Sequence, residues 1–158
     1  MGQQQLLLVI LVTILVGIAT VVAINVFGTA ADRANVDAVR QDLLTGAAGV
    51  QAVWTRPVAF GGAGRNFNEF TDAQGDLAND EALLNQLGMP VRCGDVPAED
   101  VNDPDVRQCS NENGSYELEI TAADAVTLRG LPANEPERTL TLSVSRVGGQ
   151  WVTAWIEE

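Results

Sequence analysis

The chain has 158 residues, a length that fits one domain, and its nine basic and 21 acidic side chains give a net charge of −12. All nine basic residues are arginine, which excludes catalysis by histidine, a histidine metal site and a lysine Schiff base. Nucleic acid and anionic lipid need a basic patch that this composition lacks, and two cysteines are too few for a four-cysteine zinc site. We therefore expect no nucleic-acid partner, no metal and no cofactor.

The charge is confined to one part of the chain. Residues 1–56 contain three arginines and three aspartates, so the whole net charge of −12 belongs to residues 57–158. We predict two regions in different surroundings, a long N-terminal helix over residues 1–56 and an acidic globular head over residues 57–158. An acidic surface without lysine suits a high-salt habitat, where such surfaces keep proteins soluble.

The N-terminal region contains an uncharged segment of 22 residues, Leu6 to Phe27. About 20 apolar residues, at about 1.5 Å rise each, cross the hydrocarbon core of a membrane. A cleaved secretory signal has a basic start and an apolar core of about 7–15 residues, whereas the first basic residue here is Arg33. A plain single-pass anchor should have a basic flank. The uncharged flank Met1–Gln5 favours a third interpretation, in which a basic leader was removed or the segment finally rests outside a bilayer.

The helical pattern continues beyond Phe27. Apolar residues that recur every three or four positions form one face: Val36, Val39, Leu43, Ala47, Val50 and Trp54. The opposite face is polar and comprises Asp32, Arg33, Asp37, Arg40, Gln41 and Asp42. We expect the helix to stretch or bend locally near Gly17 and to end at Pro57. Its amphipathic half should lie on the head, and its apolar half must lie in lipid or against copies of itself.

The head begins with segments that should return the chain to the helix. Three phenylalanines are expected to pack inward there: Phe60, Phe67 and Phe70. A short helix is predicted from Asn79 to Leu87, because its leucines share one face and Gly88 and Pro90 end it.

The last third of the chain predicts strands. Apolar and polar residues alternate over Tyr116–Ile120 and again over Thr139–Ser145, and Gly148-Gly149 is typical of a hairpin turn. One face of this hairpin should pack on the helix: Leu140, Leu142, Val144, Trp151 and Trp155. Arg146, opposite Trp151, is expected to contact that ring. The predicted fold class is therefore α+β, a long N-terminal helix packed on a small antiparallel sheet.

This layout resembles that of the type IV pilin and pseudopilin family. Members of the family have an apolar N-terminal helix, an amphipathic continuation that carries a head, and a C-terminal antiparallel sheet, often with a cysteine-bounded loop. The resemblance covers the whole chain as architecture, and Gln3–Ile10 lies where the mature N terminus of the family would lie. The family usually has glutamate at the fifth mature position, where it neutralises the terminal amine of a neighbour. Gln5 occupies that position if Met1 is the mature start, and an amide cannot neutralise a charge.

The resemblance implies a structural subunit of a type IV pilus-like filament with a processed, methylated N terminus. Such a chain crosses the inner membrane once and then, with the assembly machinery, joins copies of itself in an extracellular filament. The residues that would form the membrane helix and filament core are Leu6, Leu7, Leu8, Ile10, Leu11, Ile14, Leu15, Ile18 and Val22, with Met1 and Gln5 in the N-terminal packing. Two alternatives stay open: a pseudopilin or minor pilin of a secretion system, and a monomeric, membrane-anchored surface domain that binds a partner.

Few residues of the head indicate chemistry. Cys93 and Cys109 are predicted to form a disulfide, because an exported chain favours one over two free thiols. The acidic residues between them do not match a calcium-binding loop, and we interpret them as a solvated surface. Asn113-Gly114-Ser115 matches a glycosylation sequon. No serine, threonine or cysteine has a base of the histidine type, so we expect no enzyme activity.

Overall fold

The computed structural model describes residues 2–70, 80–93 and 109–156. Its elements are α1 (Gly2–Thr55), two 3-10 turns (Val58–Phe60 and Phe67–Glu69), α2 (Asp80–Gln86), β1 (Cys109–Ser110), β2 (Gly114–Ala122), β3 (Ala125–Pro132), β4 (Leu140–Val147) and β5 (Gln150–Ile156). The predicted α+β class, with an apolar N-terminal helix and an antiparallel sheet, is confirmed. The chain divides into two compact units, residues 1–34 and residues 35–158.

The first unit contains the N-terminal part of α1. The helix runs without interruption through Gly17 and Gly28, and the bend expected near Gly17 stays a prediction. Neither glycine has another group within 4 Å of the position that a Cβ would take. Open space on this side of the helix leaves both positions accessible to a neighbouring chain.

The second unit is built around the C-terminal part of α1. All six apolar residues of the predicted face are buried in its core: Val36, Val39, Leu43, Ala47, Val50 and Trp54. The helix ends at Thr55, as the following proline requires, and the chain then folds back over the helix end. The Ala63 and Arg65 amides donate hydrogen bonds to the Val53 and Trp54 carbonyls, at 3.0 and 2.9 Å. These bonds satisfy carbonyls that the end of a helix leaves unpaired.

The sheet is antiparallel, with strand order β1-β2-β3-β4-β5. The predicted hairpin register is confirmed, because Leu142 lies opposite Trp155 and Arg146 opposite Trp151. Gly148 and Gly149 have φ angles of 61° and 89°, which glycine adopts without strain. Strand β3 was not predicted from the sequence. Its Gly130 lies against α1, where an added Cβ would come within 2.6 Å of Val39 Cγ1.

Several aromatic residues pack differently from the expectation. Phe67 and Phe70 are buried, but Phe60 is 77% exposed and lies in the 3-10 turn Val58–Phe60, where none of the three residues is buried. Trp155, near the end of the outer strand β5, remains 43% exposed. The Arg146 guanidinium lies 4.7 Å from the ring centroid of Trp54, rather than over Trp151. Trp151 instead meets Trp54 edge to face, at 5.4 Å between ring centroids.

Gly49 allows α1 to approach the end of α2 closely. A Cβ added at Gly49 would overlap the carbonyl group of Leu87. We expect Gly49→Ala to lower the free energy of unfolding by about 1–3 kcal/mol, because the two backbones must separate. Urea unfolding followed by tryptophan fluorescence measures this change, since Trp54, Trp151 and Trp155 all belong to the second unit.

The control is Thr45→Ala, an exposed position of the same helix, which should change the free energy of unfolding by less than about 0.5 kcal/mol. Unchanged stability of Gly49→Ala would contradict this packing.

Candidate assembly helix and the buried Asp42 cluster

The predicted membrane and filament-core residues all lie on α1 in the first unit. The exposed fractions of their side chains range from 50% for Ile10 to 70% for Leu7. None of them belongs to the core cluster formed by the described residues. The segment is long and apolar enough to cross a membrane, by length and composition. Apolar side chains exposed on every side of a helix gain free energy when they leave water, so this segment is compatible with an apolar environment.

The few polar groups of the segment are mostly satisfied within the helix itself. The Thr13 hydroxyl donates to the Ile10 carbonyl at 2.8 Å, and the Thr20 hydroxyl donates to the Val16 carbonyl at 2.8 Å. Such bonds remove the cost of placing a hydroxyl in an apolar environment. The side-chain amide of Asn25 differs, because no described residue forms a hydrogen bond with it. The N–H groups and the carbonyl oxygen of this side chain could form hydrogen bonds with a second chain.

The two residues assigned to N-terminal packing are only partly described. Gln5 lies in the first turns of α1 and is exposed, and Met1 lies outside the described residues. Their expected contacts involve a neighbouring copy, so these roles remain predictions.

The second unit contains a buried carboxylate that the helical pattern did not predict. Asp42 was assigned to the polar face of α1, but it is only 8% exposed. One of its oxygens, Oδ2, accepts three hydrogen bonds: from the Tyr116 hydroxyl at 2.6 Å, from the side-chain Nδ2 of Asn111 at 2.8 Å and from the side-chain Nδ2 of Asn113 at 2.9 Å. These donors explain why a carboxylate is tolerated at that position, since a buried charge must be hydrogen-bonded.

The same asparagines also shape the turn between β1 and β2. The Asn111 side-chain oxygen accepts hydrogen bonds from the backbone N–H groups of Asn113 and Gly114, at 2.8 and 3.1 Å. A second residue of α1, Asn35, donates to the Asn113 carbonyl at 2.9 Å. The turn is therefore fixed to α1 by polar contacts, and we call Asp42, Tyr116, Asn111 and Asn113 the Asp42 cluster.

The cluster alters the chemistry of two of its members. Burial, followed by the hydrogen bond to Asp42 and the charge of Asp42, raises the pKa of the Tyr116 hydroxyl well above its usual value. Tyr116 consequently stays neutral and donates. The Asn113 side-chain nitrogen, which a glycosylation sequon would modify, is already a donor to Asp42.

The predicted disulfide between Cys93 and Cys109 is present. Cys109 is buried in β1, and next to the bond Arg92 and Ser110 form two backbone hydrogen bonds, at 2.9 and 3.0 Å. The crosslink closes a segment with a sequence separation of 16, for which a stabilisation of about 3 kcal/mol is typical. The acidic residues between the cysteines lie outside the described residues. Elsewhere, the described part of the chain contains no group of three residues that could hold a metal ion.

The head also has an open groove, lined by Arg40, Glu137, Arg138, Thr139, Leu140, Thr141, Trp155 and Ile156. Its two arginines form ion pairs outside this set, with Asp37 at 3.3 Å and with Glu135 at 3.2 Å. The lining contains threonine hydroxyls and one carboxylate, Glu137, but no histidine. We therefore assign no chemistry to the groove.

Comparisons of the chain with protein-family models, with curated proteins and with solved structures found no match.

The Asp42 carboxylate should stabilise the head strongly. In Asp42→Ala, one buried and two partly buried donors lose their acceptor, so we expect the free energy of unfolding to fall by about 3 kcal/mol. Asp37→Ala is the matched control. It removes an exposed carboxylate of the same helix and should cost less than about 1 kcal/mol. Equal losses for the two variants, in urea unfolding followed by tryptophan fluorescence, would contradict the role of the cluster.

Ionisation of Tyr116 should lower the stability of the head at alkaline pH. Tyr116 is the only tyrosine, the chain has no lysine or histidine, and both cysteines are paired. In the unfolded chain Tyr116 ionises near pH 10, at about its ordinary pKa, whereas in the folded head the pKa is higher. The unfolded state therefore binds fewer protons above about pH 10, and stability falls by at most about 1.4 kcal/mol per pH unit.

Absorbance of the tyrosinate and tryptophan fluorescence, recorded in one alkaline titration, measure this effect. We expect tyrosinate to form only as the head unfolds, and Tyr116→Phe should remove the slope of stability between about pH 10 and 12. Ionisation of Tyr116 near pH 10 in a head with native fluorescence would be inconsistent with its burial.

Proposed function

We propose that this chain is a structural subunit of a type IV pilus-like filament, held together by the N-terminal part of α1. The observation that carries the proposal is the all-round exposure of the uncharged helical segment from Leu6 to Phe27. The segment continues in the same helix into a head with a core of its own. Before assembly the segment lies in the inner membrane, and after assembly the segments of many copies surround one another.

The chemistry of the segment supports packing of helices on helices. In lipid, apolar side chains gain little from association, so close packing and hydrogen bonds between helices decide whether they associate. The open space beside Gly17 and Gly28 permits close approach of a second helix. The Asn25 amide has no partner among the described residues and would gain one from a neighbouring chain.

The net charge of the chain lies outside the segment that would assemble, because the whole −12 belongs to residues 57–158. The acidic heads would repel one another in a filament at low salt. At an ionic strength of 1 M the screening length is about 3 Å, so concentrated salt should favour assembly.

The first test is a charge placed in the helix. In Leu8→Asp or Ile14→Asp, a carboxylate would have to enter the apolar bundle, at a cost of about 2.5–3.5 kcal/mol for each copy by membrane-insertion scales. We expect electron microscopy of cells that produce either variant to show no filaments, while tryptophan fluorescence of the purified chain reports a folded head.

The control is Val58→Asp, which places the same carboxylate at an exposed apolar position of the head. Filaments of normal number and diameter from Leu8→Asp would contradict the proposal.

A second test separates the filament from a membrane-anchored domain. A shuffled segment, with the same residues in another order between positions 6 and 27, keeps the hydropathy but moves Gly17 and Asn25. If the chain is a monomeric anchor, the shuffled variant stays in the membrane fraction in the same amount as the unmodified chain. If it is a filament subunit, electron microscopy shows no filaments of the shuffled variant, because helix packing depends on the order of the residues.

A further inference from the structure

The two edges of the sheet differ in how many other segments contact the edge strand. At the first edge, the short strand β1 pairs with part of β2, and α2 also contacts β2. On its other side, β1 is covered in part by Arg92, which forms a β-bridge with Ser110. At the other edge lies β5, which pairs with β4 alone. Within the described residues, the outward backbone groups of β5 form no hydrogen bond with another segment. The open edge is therefore a row of donors and acceptors available to another strand.

Strand β5 lacks the features that normally protect an open edge. Proteins protect such edges with charged residues, proline, bulges or very short strands. Strand β5 is seven residues long, Gln150–Ile156, with no charge and no proline, and it pairs with β4 in continuous register. Val152, Trp155 and Ile156 on it are 45, 43 and 46% exposed. In a chain of net charge −12, an uncharged and partly apolar edge is where two copies approach with least repulsion.

Charges at the ends of the strand select the orientation of the partner. Arg146 lies beside the turn that precedes β5, where it donates to the Gly149 carbonyl at 3.2 Å. The sequence after Ile156 is acidic, Glu157-Glu158. A second copy in antiparallel orientation brings the basic end of one strand to the acidic end of the other, whereas a parallel copy brings like charges together. The charges at the two ends of β5 therefore favour antiparallel pairing with the β5 of a second copy.

We propose that two copies of this chain associate through their β5 strands, which pair antiparallel about Thr153 and join the two sheets into one. In this register, which pairs all seven residues, Trp151 of each copy lies opposite Trp155 of the other. The exposed indole of Trp155 then meets the partly buried indole of Trp151 in a cross-strand aromatic pair, a favourable arrangement in antiparallel sheets. Val152 lies opposite Ala154, so the other face of the joint is also uncharged.

This contact is separate from the proposed filament core. A two-fold contact uses the same patch on both copies and closes on itself, so it cannot propagate a polar filament. It joins two heads, from free subunits or from neighbouring filaments. The inference does not depend on the proposed function, because heads can pair whether or not the N-terminal helices assemble.

The test uses the full chain in nonionic detergent, with the mass of the protein component measured by sedimentation at two salt concentrations. We expect a dimer that high salt strengthens, because screening reduces repulsion between the acidic heads. In Val152→Lys, an edge lysine should weaken dimerisation roughly tenfold or more. Leu44→Lys is the matched control, with a similarly exposed aliphatic residue on α1 replaced, and it should dimerise as the unmodified chain does.

Crosslinking tests the register. Residues directly opposite in an antiparallel pair have Cα atoms about 4.5–5.5 Å apart, a separation that a disulfide spans. Thr153→Cys should therefore form a crosslinked dimer on mild oxidation, and Thr45→Cys, an exposed position on α1, should not. A monomer at both salt concentrations, a dimer unaffected by Val152→Lys, or equal crosslinking of the two cysteine variants would overturn the inference. A β5 dimer without filaments would leave it standing and count against the filament proposal alone.

Discussion

One helix, α1, has two different surfaces along its length, and the core of the head depends on the second of them. Its first part is apolar on every side, and the side chains of this part are exposed. Its second part has one apolar face, and the sheet and α2 complete a core on that face. The boundary between the compact units lies within the helix, between residues 34 and 35, where the pattern changes.

The head depends on polar as well as apolar contacts with α1. The apolar face fixes which side of the helix meets the sheet, but such contacts tolerate small displacements along the helix axis. The Asp42 cluster and Asn35 are directional, because each hydrogen bond requires a particular distance and angle. They attach the turn between β1 and β2 to α1, next to the disulfide at Cys109. We infer that these contacts set the register of helix against sheet.

The sequence was sufficient where a short repeating pattern decides the structure. The three-and-four spacing of Val36 to Trp54 gave the buried face, and Gly148-Gly149 gave the hairpin register. Asp42 was misplaced because its partners are 69 to 74 residues away, and no local pattern signals a buried carboxylate. Strand β3 was missed because Gly130 occupies an inward position without adding an apolar side chain to the alternating pattern. Alternation placed Trp155 on the inner face, but it does not tell how completely that face is covered.

The central claim is that the apolar part of α1 is surrounded by the same part of other copies. Electron cryomicroscopy of filaments sheared from the source cells, with mass spectrometry of their main protein, tests this claim most directly. The account predicts that this chain is the main protein, with the segments from Leu6 to Phe27 packed along the filament axis and the heads outside. Filaments that lack the chain, while the membrane fraction contains it as a monomer, would contradict the account.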